Sequence, residues 1–184
     1  CLAISLLVWP ALAETSAPRG LNDQYLLAVA DYFEVAYEDV LSQTAIFTTE
    51  EIPVLFYLAQ RANVSVARVI ELKGKDQSWA ETASRLDVNA THFYVTVTGE
   101  IKSSTFAPIF QKYSSTPEQN WRKLELSDDE IVNLVNLRVM YSQYDYSAYE
   151  VMAFRDTDKS WATVNKLVAE AKSEYLKKEK EKKD

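Results

Sequence analysis

The chain has 184 residues, 47% of them hydrophobic, with a formal net charge of −7, one histidine, one cysteine and three glycines. That length allows one domain or two small ones around a sizeable core, and the acidity argues against a surface built for nucleic acid or another polyanion. One Cys and one His leave no residue set for a disulfide framework or a zinc site, and Gly20, Gly74 and Gly99 are too scattered for a phosphate-cradling loop.

Residues 1–13, CLAISLLVWPALA, form an uncharged apolar run that is too short to span a bilayer as a helix. Ala11 and Ala13, just before Glu14, suit the small-residue requirement of a signal peptidase. The run is therefore expected to be the remnant of a signal peptide, with Cys1 leaving alongside it and a linker over 14–21. A mature chain that lacks cysteine and relies on its core fits a bacterial periplasm. Charge is uneven along the chain. Eight acids stand against Arg19 from Glu14 to Ile52, and seven lysines meet five acids from Lys166 onward.

A helix is predicted from a cap at Asn22, with Leu26, Leu27, Ala30, Phe33 and Val40 near helical spacing. It breaks near Val35 before a short helix over 37–43. Thr49 is the expected cap of the next helix, which carries Val54, Leu55, Leu58 and Ala59 inward and tolerates Pro53 in its first turn. Ser65 caps a helix bearing Val69, Ile70 and Leu72 and stopped by Gly74, and Ser78 caps another with Trp79, Ala83 and Leu86 inward. Residues 87–126 break this rhythm. His92–Gly99 reads HFYVTVTG and Trp121–Leu126 is a second β-prone run, so a short β-hairpin-like insertion is expected around 92–126, with 103–119 as loop. Ser127 and Glu130 make a capping box for a helix with Ile131, Leu134, Val135 and Val139 inward. Ser160 caps the last helix, which carries Trp161, Val164, Leu167 and Val168 and gives way to a charged tail over 173–184 that is expected to fray.

Two stretches align without a gap. Val64–Trp79 (VSVARVIELKGKDQSW) matches Tyr146–Trp161 (YSAYEVMAFRDTDKSW) when Val69 is set on Val151. A weaker copy sets Val40 on Val69 and Thr49 on Ser78, with Glu50 where the tryptophan would stand. The fold class that follows is mainly α: repeated helix–turn–helix units over about 22–52, 52–86 and 131–168 form a small helical bundle within 22–172, interrupted by the insertion at 87–126. Trp79, Trp161, Val69 and Val151 are the expected core of the repeat, each indole filling a gap between helices with its N–H on a nearby carbonyl.

Candidates for chemistry are few. Tyr141, Tyr144, Tyr146 and Tyr149 crowd one turn and form the candidate partner surface, with Tyr141 and Tyr144 as the expected exposed pair. The competing reading is that these rings seal a joint between two helices. His92 reads as an edge or surface histidine. Glu50 and Glu51, like Asp128, Asp129 and Glu130, lie in first turns of helices, where the macrodipole accounts for them without catalysis. Asp156-Thr157-Asp158 lacks the later Gly and Glu of a calcium loop. Asn63-Val64-Ser65 and Asn89-Ala90-Thr91 match glycosylation sequons, which in a bacterial setting reduce to turn and cap chemistry. Ile70–Leu86 resembles a regulator helix-turn-helix, but no basic recognition helix follows it. No catalytic residue, metal ligand or cofactor is therefore expected, and the leading reading is an exported, non-enzymatic structural or interaction module of the periplasm or envelope that binds a protein partner through its Tyr-rich turn or its 93–121 insertion. A carboxylate-dependent hydrolase and a DNA-binding protein stand as alternatives.

Glu51–Ser65 (EIPVLFYLAQRANVS), running on through Leu72-Lys73-Gly74 to Ser78-Trp79, resembles a family of uncharacterised exported proteins of Gram-negative bacteria. So does Leu126–Leu137 (LSDDEIVNLVNL), followed by Tyr144 and Val151. The resemblance covers about 25–168 and departs between Gly99 and Trp121, and again at Asp156-Thr157-Asp158, where the family commonly has Arg-x-x-Gly. It implies export and an all-helical body, and it carries no activity and no catalytic residue.

Overall fold

The computed structural model describes residues 20–156 and 159–182. The expected signal remnant at 1–13, nearly all of the linker, Thr157 and Asp158 of the calcium-like run, and the last two residues of the tail lie outside the described residues. Ten α-helices follow one another in the remainder: α1 (Leu21–Phe33), α2 (Tyr37–Ser42), α3 (Ile52–Ala62), α4 (Val66–Lys73), α5 (Trp79–Arg85), α6 (Ala90–Phe93), α7 (Ala107–Ser115), α8 (Asp128–Tyr144), α9 (Ala148–Arg155) and α10 (Trp161–Glu181). Tight 3-10 turns occupy Gln43–Ala45 and Glu118–Lys123. The protein is mainly helical, a helical bundle.

One kind of corner recurs. Helices α1, α3, α5 and α8 each run into a left-handed residue: Glu34 (φ 55°), Asn63 (φ 53°), Asp87 (φ 55°) and Asp145 (φ 55°). The following N–H turns back to a carbonyl five residues earlier, Val35 to Ala30, Val64 to Ala59, Val88 to Ala83 and Tyr146 to Tyr141. That bond satisfies a carbonyl the helix would otherwise leave open. The next residue is an extended cap (Ala36, Ser65, Asn89 or Ser147) that opens a short helix. Six positions past the left-handed residue comes a buried side chain: Val40, Val69, Phe93 or Val151.

The third corner, Asp87–Phe93, runs into the start of the stretch where the β-hairpin was expected. No strand occurs among the described residues. Asn89 Oδ1 accepts from Thr91 N, and His92 Nδ1 accepts from Asn89 N at 3.0 Å, so the histidine closes a capping box and its segment turns helical. The second β-prone run fails for a packing reason. Trp121 lies 4.5 Å from the Tyr94 ring and edge-on to Tyr113, and its indole N–H reaches Tyr113 O and Thr116 O. That plug demands a tight turn over 118–123, and tertiary packing overrides β propensity. The presumed loop at 103–119 contains α7, whose Ile109, Phe110 and Tyr113 are buried. The charged tail also departs from expectation, since α10 continues to Glu181.

Two caps shift. Gly20 precedes α1 in place of Asn22, and α3 begins after Glu51, with Thr48 in place of Thr49 bonded through N and Oγ1 to Glu51 Oε2. Ser65, Ser78, Ser127 and Ser160 cap as their sequence context implies.

Helix α8 is the hub, packed against α1, α3, α5, α6, α9 and α10. It is buried on several sides through Ile131, Leu134, Val135, Asn136, Leu137, Val139 and Met140. Trp79, Trp161, Val69 and Val151 are all buried in the core. The indole N–H groups find side chains, not the carbonyls expected: Trp79 Nε1 donates to Glu51 Oε1 (3.0 Å) and Trp161 Nε1 to Asn133 Oδ1 (3.2 Å). Their backbone N–H groups, orphans in the first turns of α5 and α10, donate to Asp128 Oδ1 and Glu50 Oε1, each at 2.8 Å. Acids distant in the chain, one in α8 and one in the turn before α3, thus cap both tryptophan helices.

Candidate functional site

After α6 the chain leaves helical structure from Tyr94 to Thr98 and lies beside the α8–α9 corner. Between them is a groove of about 390 Å³, walled by Tyr94–Thr98 on one side and by Arg138, Tyr141 and the start of α9 on the other. Three of the four candidate tyrosines meet here: Tyr141, Tyr146 and Tyr149. Tyr144 does not. It is half-buried, and its hydroxyl donates to Asn165 Oδ1 at 2.6 Å, sealing the joint between α8 and α10. The expected exposed pair is thereby corrected: Tyr141 is half-buried, and Tyr149, at 42% exposure, is the open ring.

The corner explains this convergence. Residues 141 and 149 flank a left-handed Asp145 and a Ser147–Glu150 capping box, which reverse the chain and present both rings on one side. Tyr146 packs under Lys172, whose Nζ lies 5.9 Å from the ring centroid and 3.7 Å from Asp145. Burial, and then the Glu150 carboxylate, pushes the Tyr146 phenol above its ordinary value, so it stays protonated. Arg138 fixes the opposite wall. Its Nη2 donates to Tyr94 O (2.7 Å) and His92 O (3.3 Å), and its guanidinium sits 5.7 Å from the Tyr57 ring centroid. The Tyr57 hydroxyl also donates to His92 O, which locks the root of this segment.

Arg138 was missed as a site residue, and a lone guanidinium between Leu137 and Val139 was the available signal for it; Tyr94–Thr98 falls within the 93–121 insertion that the sequence offers as the alternative partner surface.

A larger cleft of about 470 Å³ opens between α5, α6 and residues 122–126, with a mixed lining of apolar side chains such as Val88 and Phe93 and of polar ones such as Asn89, Lys123 and Glu125, and Arg122 at its rim pairs with Asp87 at 3.3 Å. Most of the conspicuous carboxylates are occupied: Glu50 and Asp128 cap distant helices, Glu51 holds Thr48 and Trp79, and Glu130 holds Ser127 N and Lys112. Among the described residues no three His, Cys, Asp or Glu side chains gather as metal ligands, and no helix is long and apolar enough to cross a membrane. Comparisons of the chain with protein-family models, with curated proteins and with solved structures find no match.

Proposed function

We propose that this protein is an exported, non-enzymatic interaction module of the bacterial periplasm or envelope, and that it holds a protein partner in the groove between Tyr94–Thr98 and the α8–α9 corner. The observation that supports this reading is the convergence of Tyr141, Tyr146 and Tyr149 on one concave surface. Tyrosine gives large contact area with a polar tip and loses little rotamer entropy, which is why it is enriched where proteins meet. Glu50 and Asp128 accept from helix N-termini and Glu51 from an indole, which supports the non-enzymatic reading over the hydrolytic one. The apolar run at 1–13 and the resemblance to exported bacterial proteins support the location. We read the four corners as copies of one helix–turn–helix unit, a scaffold whose tryptophans fill the core and whose surface is left for recognition.

The test is a photo-crosslinker placed at position 149 in protein expressed in a Gram-negative host. It is expected to trap a discrete periplasmic partner, and the Tyr141→Ala substitution is expected to cut the yield severalfold without lowering Tm by more than a few degrees. Yield unchanged by Tyr141→Ala removes this surface as the partner site.

A further inference from the structure

We infer that the occupant of the groove is an extended acidic peptide of the partner, which adds as a strand to the free backbone of Val95–Thr98 and sets a carboxylate on Arg138. This rests on the reading of the groove as the partner surface and names what that surface recognises.

The backbone carries the first half of the inference. Val95 is buried and Val97 half-buried, while Thr96 and Thr98 are exposed, the alternation of a strand with one face on a core. The segment is anchored at its root, where Tyr94 O is held by Arg138. Yet no N–H or C=O from Val95 to Thr98 bonds to any described residue. A segment anchored at one end, with side chains alternating between core and solvent and with open donors and acceptors, is the template that strand addition uses, with main-chain bonds supplying affinity and alternate side chains supplying selectivity.

Charge carries the second half. Arg138 is the one charged side chain among the residues lining this groove, in a chain of net charge −7. Its partners among the described residues are two carbonyls and a ring, and none is a carboxylate. A guanidinium offers five donors in a planar fork that matches a carboxylate, and only Nη2 is engaged here. A neutral or basic strand would leave that charge unanswered or repel it. An Asp or Glu flanked by β-branched or aromatic residues answers it, and the open ring of Tyr149 gives those neighbours a surface to cover.

The experiment pans a phage-displayed library of random heptapeptides against the folded full-length chain and measures the selected peptides by fluorescence anisotropy. Selected peptides are expected to carry an acid beside β-branched or aromatic residues. Replacing that acid by its amide, or making Arg138→Gln, is expected to weaken binding at least about tenfold. The peptide swap does not depend on how the variant folds. N-methylating alternate backbone amides is expected to abolish binding in one register and spare the other. Failure to select peptides, selection of non-acidic ones, or tolerance of N-methylation in both registers overturns the proposal. If such peptides still lose affinity on Tyr149→Ala, the groove stands as the partner surface with a different occupant, and if they do not, both readings fall.

Discussion

Glu51 shows how much one side chain can be asked to do here, and how it responds to acid. Burial opposes its ionisation, but the Thr48 hydroxyl and N–H, the Trp79 indole and the Lys73 charge outweigh burial and hold the carboxyl below its ordinary value. A depressed folded-state value contributes stability that is present in full above the unfolded-state value and is lost as pH falls through the folded one. Glu51→Gln is therefore expected to lower Tm at neutral pH, with the gap to the parent narrowing as the pH falls below the ordinary carboxylate range and closing once it passes below the lowered folded-state value. Circular-dichroism melts at stepped pH would check this, and a gap that stays constant into acid would contradict the assignment. Exposed Glu81 and Glu150, lowered by hydrogen bonds within their own capping boxes, titrate in the same sense. The Ser127 capping box and the Ser78 cap were legible in sequence because a serine ahead of a helix, with a glutamate three residues on, needs only local geometry. The cross-helix caps were not, since Glu50 and Trp161 stand 111 positions apart and only the fold joins them.

The corner is the element that organises the chain, and its four versions differ in the residue that takes the left-handed conformation. Asn and Asp tolerate that region through local hydrogen bonding, while Glu has no such help. Glu34 is exposed and its carboxylate makes no hydrogen bond or ion pair to a described residue, so no local bond offsets its strain. Glu34→Gly is expected to stabilise the protein by about 0.5–1 kcal/mol, and Asn63→Gly by less, in urea unfolding. Equal effects would mean that the side chain at this position does not set the strain. Three corners were readable because Val40, Val69 and Val151 mark them and the spacing from Glu34 to Asn63 is 29 residues. Asp87 follows Asn63 by only 24 and its buried residue is Phe93, inside a run whose composition favours strands. The tyrosine turn was visible for the same local reason as the caps. The wall it faces, Arg138 and Tyr94–Thr98, comes from elsewhere in the chain, and no spacing rule brings it there.

The bundle as a whole is tied by one buried amide. Asn136, on the central helix α8, is fully buried, and its Oδ1 accepts from the Tyr25 hydroxyl on α1. Its Nδ2 donates to Val132 O and to Glu50 O, both at 2.9 Å, and Glu50 in turn caps α10 through Trp161 N. Helices α1, α8 and α10 and the approach to α3 therefore share one polar chain inside a largely apolar core. Burial, and next the Glu50 charge, pushes the Tyr25 phenol well above its ordinary value, so it remains a donor at any ordinary pH. Tyr25→Phe removes a donor and is expected to cost about 1 kcal/mol. Asn136→Ala opens a cavity and strands both the Tyr25 hydroxyl and Glu50 O, and its expected cost is about 3–5 kcal/mol. Because the two residues share a bond, the double variant should fall short of the sum by about 1–2 kcal/mol in a denaturation cycle. Additive losses would mean that the pair does not interact and that apolar packing alone holds α1 on α8. Coupling would instead make the amide the register pin of the bundle, since any slip of α1 along α8 would bury its polar atoms without partners.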